Sequence, residues 1–272
     1  SRYGHRVVAD RLMAAGGVHG EEPVERFGMP LHLTREMEEG EAVAWYLNHH
    51  GWAVRTRGHI LVFDAEEFGV TRPHEPSLTN GFLTPQELSH QEVVAFYTTY
   101  HGATGEPAYV HELEDSLSAI TYVQNGNDRY RGSAGTVYLV AGEEATVGDA
   151  RIRAVEVRQN LPVLGYLVEV DGLRVYYSGY RAQDRARFAE ELPNLAERVG
   201  RVDLAFLSVP EVNEEESDFK DFISLLDPRA VLLLDPARRE ELFPGTAARV
   251  EAWGFDCVVF AAENPGDAFV FR

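Results

Sequence analysis

Short apolar runs separated by turn residues dominate the chain, and helical stripes join them only in the second half. Ala42–Leu47 is a continuous apolar run. Trp52–Thr56 and His59–Asp64 follow it and flank Arg57-Gly58, a short turn of the hairpin type. Residues 66–91 carry Pro73, Pro76 and Pro85 without a sustained period, which predicts a long surface loop. Val93–Thr98 is a further apolar strand, leading into the polar stretch Thr99–Glu106. Later, Thr136–Ala141, Ala150–Val157, Leu164–Val170 and Leu173–Ser178 read as consecutive strands, with Asp171-Gly172 as the strongest hairpin turn in the chain.

The period then lengthens. Phe188, Leu192, Leu195 and Val199 share one face of a helix over Asp184–Val199, which Pro193 is placed to split. Phe219, Phe222, Ile223 and Leu226 form the stripe of a second helix, Ser217–Leu226, with Ser217 as its cap. A third helix is expected over Thr246–Trp253. Strands at Leu204–Val209, Val231–Leu234, Cys257–Ala261 and Phe269–Phe271 alternate with these helices. Hairpins early in each half and strand–helix alternation later predict two packed sheets with helices outside, in one domain over 41–272. Residues 1–40 are polar, broken by Gly16-Gly17 and Gly20, and read as an N-terminal extension.

Composition narrows the classes. The 272 residues carry 25 Lys+Arg against 44 Asp+Glu, a formal charge of −19, which disfavours nucleic-acid and anionic-membrane partners. At 44% hydrophobic residues the chain can bury a sizeable core, and no apolar run approaches the roughly 20 residues of a membrane-spanning helix. Cys257 is the sole cysteine, which rules out an intramolecular disulfide and a thiolate metal cluster, and its apolar neighbours predict a buried side chain. The chain starts at Ser1, which leaves room for a removed leader; the cytoplasm is the favoured location. No nucleophile elbow is present, and Gly142-Glu143-Glu144 puts two negative charges where a phosphate cradle would need none. The acidic runs at 111–115 and 213–218 read as solvated helix starts.

Two stretches point to a known family. Ala44–Val54, with Asn48-His49-His50-Gly51-Trp52 at its centre, followed by Ile60-Leu61-Val62-Phe63-Asp64, resembles the opening of metallo-β-lactamase-fold hydrolases. Leu164–Tyr176 is similar to the strand–turn–strand that precedes the family's Gly-Asp ligand. The resemblance covers roughly residues 42–272 in order. It implies a four-layer αββα sandwich of two mixed β-sheets with outer helices, and an active-site edge where imidazoles and carboxylates hold two metals that make a hydroxide nucleophile.

Laid on this sequence, the family's His-x-His-x-Asp-His loop falls on Thr99, His101, Ala103 and Thr104. The next ligand position falls near Gln159, the bridging aspartate on Tyr180 and the final histidine on Asp235. An alanine cannot coordinate, and a tyrosine ring fills the space of a bridging carboxylate. All 10 histidines lie at or before His111, so residues 112–272 supply no imidazole. No metal is therefore expected; if one binds, His101 and Asp235 are its ligands, with Zn, Mn or Fe as the alternatives.

Three functions stay open. The first is a divergent protein without the two-zinc site that binds a small molecule or a protein partner, with His49, Asp64, Thr99, His101, Thr104, Gln159, Tyr180 and Asp235 as pocket candidates. The second is a hydrolase with a rearranged, mononuclear site built from His101, Asp235 and one of His49, His50 or Asp64. The third is an interaction subunit using an outer helix face or residues 1–40. A homo-oligomer fits each of them. Within this set Asp64, at a strand end, has an ordinary alternative as an acceptor of backbone N–H groups.

Overall fold

The computed structural model describes residues 36–65, 72–89, 91–98, 117, 120–126, 135–158, 163–179, 201–209, 216–234 and 239–272. Within them the apolar runs form two seven-stranded sheets. The first has the order β14-β1-β2-β3-β4-β5-β6, with β1 Ala42–Asn48, β2 Gly51–Arg55, β3 His59–Phe63, β4 Glu92–Tyr97, β5 Ile120–Asn125, β6 Thr136–Leu139 and β14 Ala268–Phe271. The second runs β13-β12-β11-β10-β9-β8-β7, with β7 Glu144–Val147, β8 Ala150–Arg158, β9 Val163–Val170, β10 Leu173–Tyr177, β11 Leu204–Ser208, β12 Ala230–Leu234 and β13 Val258–Phe260.

Each sheet is antiparallel on one side and parallel on the other. β14, β1, β2 and β3 pair antiparallel, and β3, β4, β5 and β6 pair parallel. In the second sheet β7 to β10 pair antiparallel and β10 to β13 pair parallel. Both sheets are thus mixed, as the sequence resemblance implies. Tight turns close the pairs β1–β2, β2–β3, β7–β8 and β9–β10, whereas each parallel pair needs a crossover. One crossover is α2, Glu216–Leu226, between β11 and β12; a second is α3, Phe243–Ala252, between β12 and β13. Every residue of β11 and of β12 is buried, so both faces of that strand pair are covered, one by the facing sheet and the other by these helices.

An aromatic column joins the sheets. The Phe63 ring stacks on Tyr177 at 4.5 Å and 9°, and on Phe96 at 4.8 Å. Trp52 meets Phe206 edge-on at 5.2 Å. Trp52, Phe63, Phe96, Tyr177 and Phe206 are all fully buried, each worth about 1.5–3 kcal/mol or more in transfer from water. Burial of this size is what sets the register, because a one-residue slip of β3 would turn Phe63 to the opposite face.

Four local expectations change. The 66–91 region is not a surface loop throughout: Leu78, Phe82, Leu83 and Leu88 are buried against Trp45, Val62 and Ala95, and the short helix α1, Pro85–Leu88, lies among them. Pro85 opens α1, and the segment roofs the outer face of the first sheet. α2 begins at Glu216, so Ser217 lies in its first turn and does not precede it. α3 begins at Phe243, three residues before Thr246, because Pro244 sits where a missing N–H needs no acceptor. The strands β5 and β7 add to those expected. Cys257 is buried and free. The helix expected at 184–199 lies outside the described residues. At the end of the extension, Met37 is buried and the Gly40 N–H donates to the Asp171 carbonyl at 2.9 Å. No helix of the described residues is long and apolar enough to cross a membrane.

Candidate functional site

The parallel pairing of β3 with β4 aligns His59 with Glu92 and Phe63 with Phe96. Both strands therefore begin on one edge of the sandwich and end on the other. Asp64 follows β3 and Thr98 follows β4 on the exit edge, while His59 and Glu92 lie on the entry edge.

On the exit edge Asp64 is 1% exposed, in the left-handed backbone region at φ 40°. Its Oδ1 accepts the Thr98 N–H at 2.9 Å, and its Oδ2 accepts the Thr98 hydroxyl at 2.5 Å. The Tyr177 hydroxyl, from the facing sheet, lies 3.0 Å from the same Oδ2 and 2.7 Å from the His50 carbonyl. The carboxylate thus ties the ends of β3 and β4 to β10. Its charge also reaches the Tyr166 phenol, which burial first and Asp64 second push well above its ordinary pKa. Gly179 closes this corner with φ 74°; a Cβ there would stand 2.9 Å from the Thr98 Cβ and from the Leu164 carbonyl oxygen.

The β1–β2 turn brings two imidazoles to the same edge. His49, at φ 58°, and His50 are both buried, and their Nδ1 atoms lie 2.6 Å apart, so one N–H donates to the other ring. The rings meet edge to face at 4.1 Å. The Tyr46 hydroxyl holds the turn, with the His49 carbonyl at 2.9 Å and Glu240 Oε1 at 3.0 Å as the two acceptors within reach of its one proton. His49 and Asp64 are the members of the sequence-derived candidate set that lie within the described residues. They share an edge, bridged by the Tyr177–His50 contact.

The entry edge carries a second polar group. His59, 4% exposed, faces Asp171 through Nδ1 at 3.3 Å, and Asp149 and Glu92 through Nε2 at 3.1 Å and 3.6 Å. One atom each of His59, Asp149 and Asp171 lies within 4.8 Å of the others, spacing that suits a metal ion. Sequence reasoning missed this cluster. Its signals were a histidine opening an apolar strand and an aspartate in each of two tight turns.

No family model matches the sequence, and no curated protein matches it either. Similarity appears at the level of solved structures. One is Igni18, a novel metallo hydrolase from the archaeon Ignicoccus hospitalis KIN4/I, with TM-score 0.62 and 16% identity over 85% of this chain and 99% of that one. Another is YhfI from Bacillus subtilis, with TM-score 0.57 and 11% identity over 84% of this chain and 99% of its own. YhfI is a metallo-β-lactamase-fold protein. This chain has the metallo-β-lactamase fold. CmlA, a diiron β-hydroxylase from Streptomyces venezuelae, is also similar, at TM-score 0.58 and 14% identity. Its alignment covers 97% of this chain but 59% of CmlA, so this chain spans less than two thirds of that protein.

At these identities the likeness shows the metallo-β-lactamase fold and not the chemistry. Thr99, His101, Thr104, Gln159, Tyr180 and Asp235 lie outside the described residues.

Proposed function

We propose that this protein is a divergent member of its fold class that lacks the usual binuclear zinc site and uses the exit edge to bind a small molecule or a protein partner. The observation that carries this reading is the bonding state of Asp64. Both of its oxygens are engaged, by Thr98 and by the Thr98–Tyr177 hydroxyl pair, so it braces the start of the following segment. His49 and His50 turn Nδ1 toward each other. Among the sequence-derived donors His101 and Asp235 remain, and two ligands make neither a closed structural site nor a three-ligand catalytic one.

Metal content and ligand response test this. Tag-free protein grown with Zn and Mn should carry no metal that His101→Ala or Asp235→Ala removes. A ligand held at the exit edge should raise the melting temperature of wild type and lose that effect in His101→Ala. One or two metal equivalents lost in His101→Ala would overturn the reading and favour a metal-dependent hydrolase, the activity class named for Igni18.

A further inference from the structure

The entry edge holds four side chains that come from four separate segments. His59 opens β3 and Glu92 opens β4, so the first sheet contributes two neighbours in parallel register. Asp149 sits in the β7–β8 turn and Asp171 in the β9–β10 turn, so the second sheet contributes the other two. Three carboxylates thus surround one imidazole that is 4% exposed.

Asp171 fixes the imidazole. Its Oδ2 accepts the Thr56 hydroxyl at 2.6 Å and the Gly58 N–H at 2.8 Å, and lies 3.3 Å from His59 Nδ1. Burial pushes the Asp171 carboxyl up, but these donors together outweigh it and hold the group below its ordinary value. Asp171 engages the ring through Nδ1, which turns Nε2 the other way, toward Asp149 and Glu92. Carboxylate, imidazole and ligand position in that order are the usual arrangement behind a metal-bound histidine.

Nε2 is the unresolved atom. It is buried and makes no hydrogen bond, yet carboxylate oxygens stand 3.1 Å and 3.6 Å from it, on Asp149 and Glu92. Positive charge on or beside Nε2, a second imidazole proton or a metal ion, is what makes two carboxylate neighbours favourable there. Bonds of about 2.0–2.2 Å around a tetrahedral divalent ion place neighbouring ligand atoms roughly 3.3 Å apart, close to both separations. The turn is built for this approach. Gly148 holds φ 59°, and the Glu92 carboxylate packs where its Cβ would stand. Asp149 is 72% exposed in its side chain, so it can swing aside to admit an ion.

We propose that this edge is a divalent-cation site, with His59 Nε2 and Asp149 as ligands, water completing the shell, Glu92 beside it as a further anionic neighbour and Asp171 as the positioning residue. The mixed nitrogen and oxygen donors suit Zn or Mn over Ca or Mg. An ion here clamps β3 and β4 of one sheet to two turns of the other, on the edge away from Asp64. The site is independent of the exit-edge reading.

The test is titration of chelator-stripped, tag-free full-length protein with zinc chloride or manganese chloride alone, by calorimetry and thermal melting. One equivalent should bind, and a hundredfold excess over Kd should raise Tm by roughly 5 °C. Asp149→Asn should weaken binding at least tenfold and Glu92→Gln a few-fold, both at partly open positions and both melting like wild type in chelator. Asp171→Asn should weaken it by about 10–100-fold, as loss of an orienting partner does. Histidine 101 is the control: His101→Ala should leave this binding unchanged. Absence of a stoichiometric equivalent, or binding that Asp149→Asn and Glu92→Gln leave intact, overturns the proposal. Binding lost in His101→Ala alone overturns it too, and assigns the metal to His101.

Discussion

The two edges of the sandwich are built from the same strands and solve opposite problems. At the exit edge the buried carboxylate of Asp64 meets hydroxyl and N–H donors, so a negative charge is neutralised by dipoles from Thr98 and Tyr177. At the entry edge Asp171 is satisfied in the same way by Thr56 and Gly58, but two further carboxylates face His59 across short distances. The first arrangement is closed and holds backbone in place. The second has more acceptors than donors, which is the electrostatic condition for taking up a cation. The difference lies in the ratio of donors to acceptors at the two edges and not in their polarity.

The largest expected break in this comparison comes from Asp64→Ala. It strips the Thr98 N–H and the Thr98 hydroxyl of a buried acceptor, while the Tyr177 hydroxyl keeps the His50 carbonyl, and should cost about 3–5 kcal/mol in urea denaturation. A loss under 1 kcal/mol would mean that water replaces the carboxylate and that the edge is open.

Glycine replacement separates the edges next. Gly179→Ala sets a Cβ 2.9 Å from the Thr98 Cβ and from a β9 carbonyl oxygen, neither of which can yield, at φ 74°. Gly148→Ala meets instead the end of the flexible Glu92 side chain, at φ 59°. We expect about 2–4 kcal/mol for the first and about 1 kcal/mol for the second by chemical denaturation. Equal costs would show that the left-handed backbone and not the contact dominates at both.

The smallest effect is in the pH dependence. The Asp171 carboxyl is held below its ordinary value in the folded protein, so it stabilises the fold above the unfolded value of about 3.9. That contribution is lost as pH falls through the lower, folded value. In chelator, wild type should lose stability below about pH 4 more steeply than Asp171→Asn, read as melting temperature against pH. Parallel curves would show that Asp171 shares its proton with the neighbouring carboxylates.

Much of the first sheet was legible because its strands are continuous apolar runs ended by turn residues, as in Trp52–Arg55 and His59–Phe63 around Arg57-Gly58. β5 was not, since Ile120-Thr121-Tyr122-Val123-Gln124-Asn125 mixes polar and apolar residues without clean alternation. β7 was not because it is an edge strand, Glu144-Ala145-Thr146-Val147, exposed enough to be half polar. Of the exit edge, Asp64 was legible as a strand-end acceptor of N–H groups, but its partner Tyr177 was not, being 113 residues away.

What the sequence alone determined is what depends on local pattern and on inventory. Strand and helix periods, the Asp171-Gly172 turn, the excess of acid and the absence of any imidazole after His111 are properties of neighbours or of counts. The tertiary structure decided what depends on register. Parallel pairing of β3 with β4 sets His59 beside Glu92, and packing of the two sheets brings Asp171 to a ring 112 residues earlier. A titratable side chain has its character set by what stands within a few ångströms, and in a sandwich of mixed sheets those neighbours come from strands far apart in the chain.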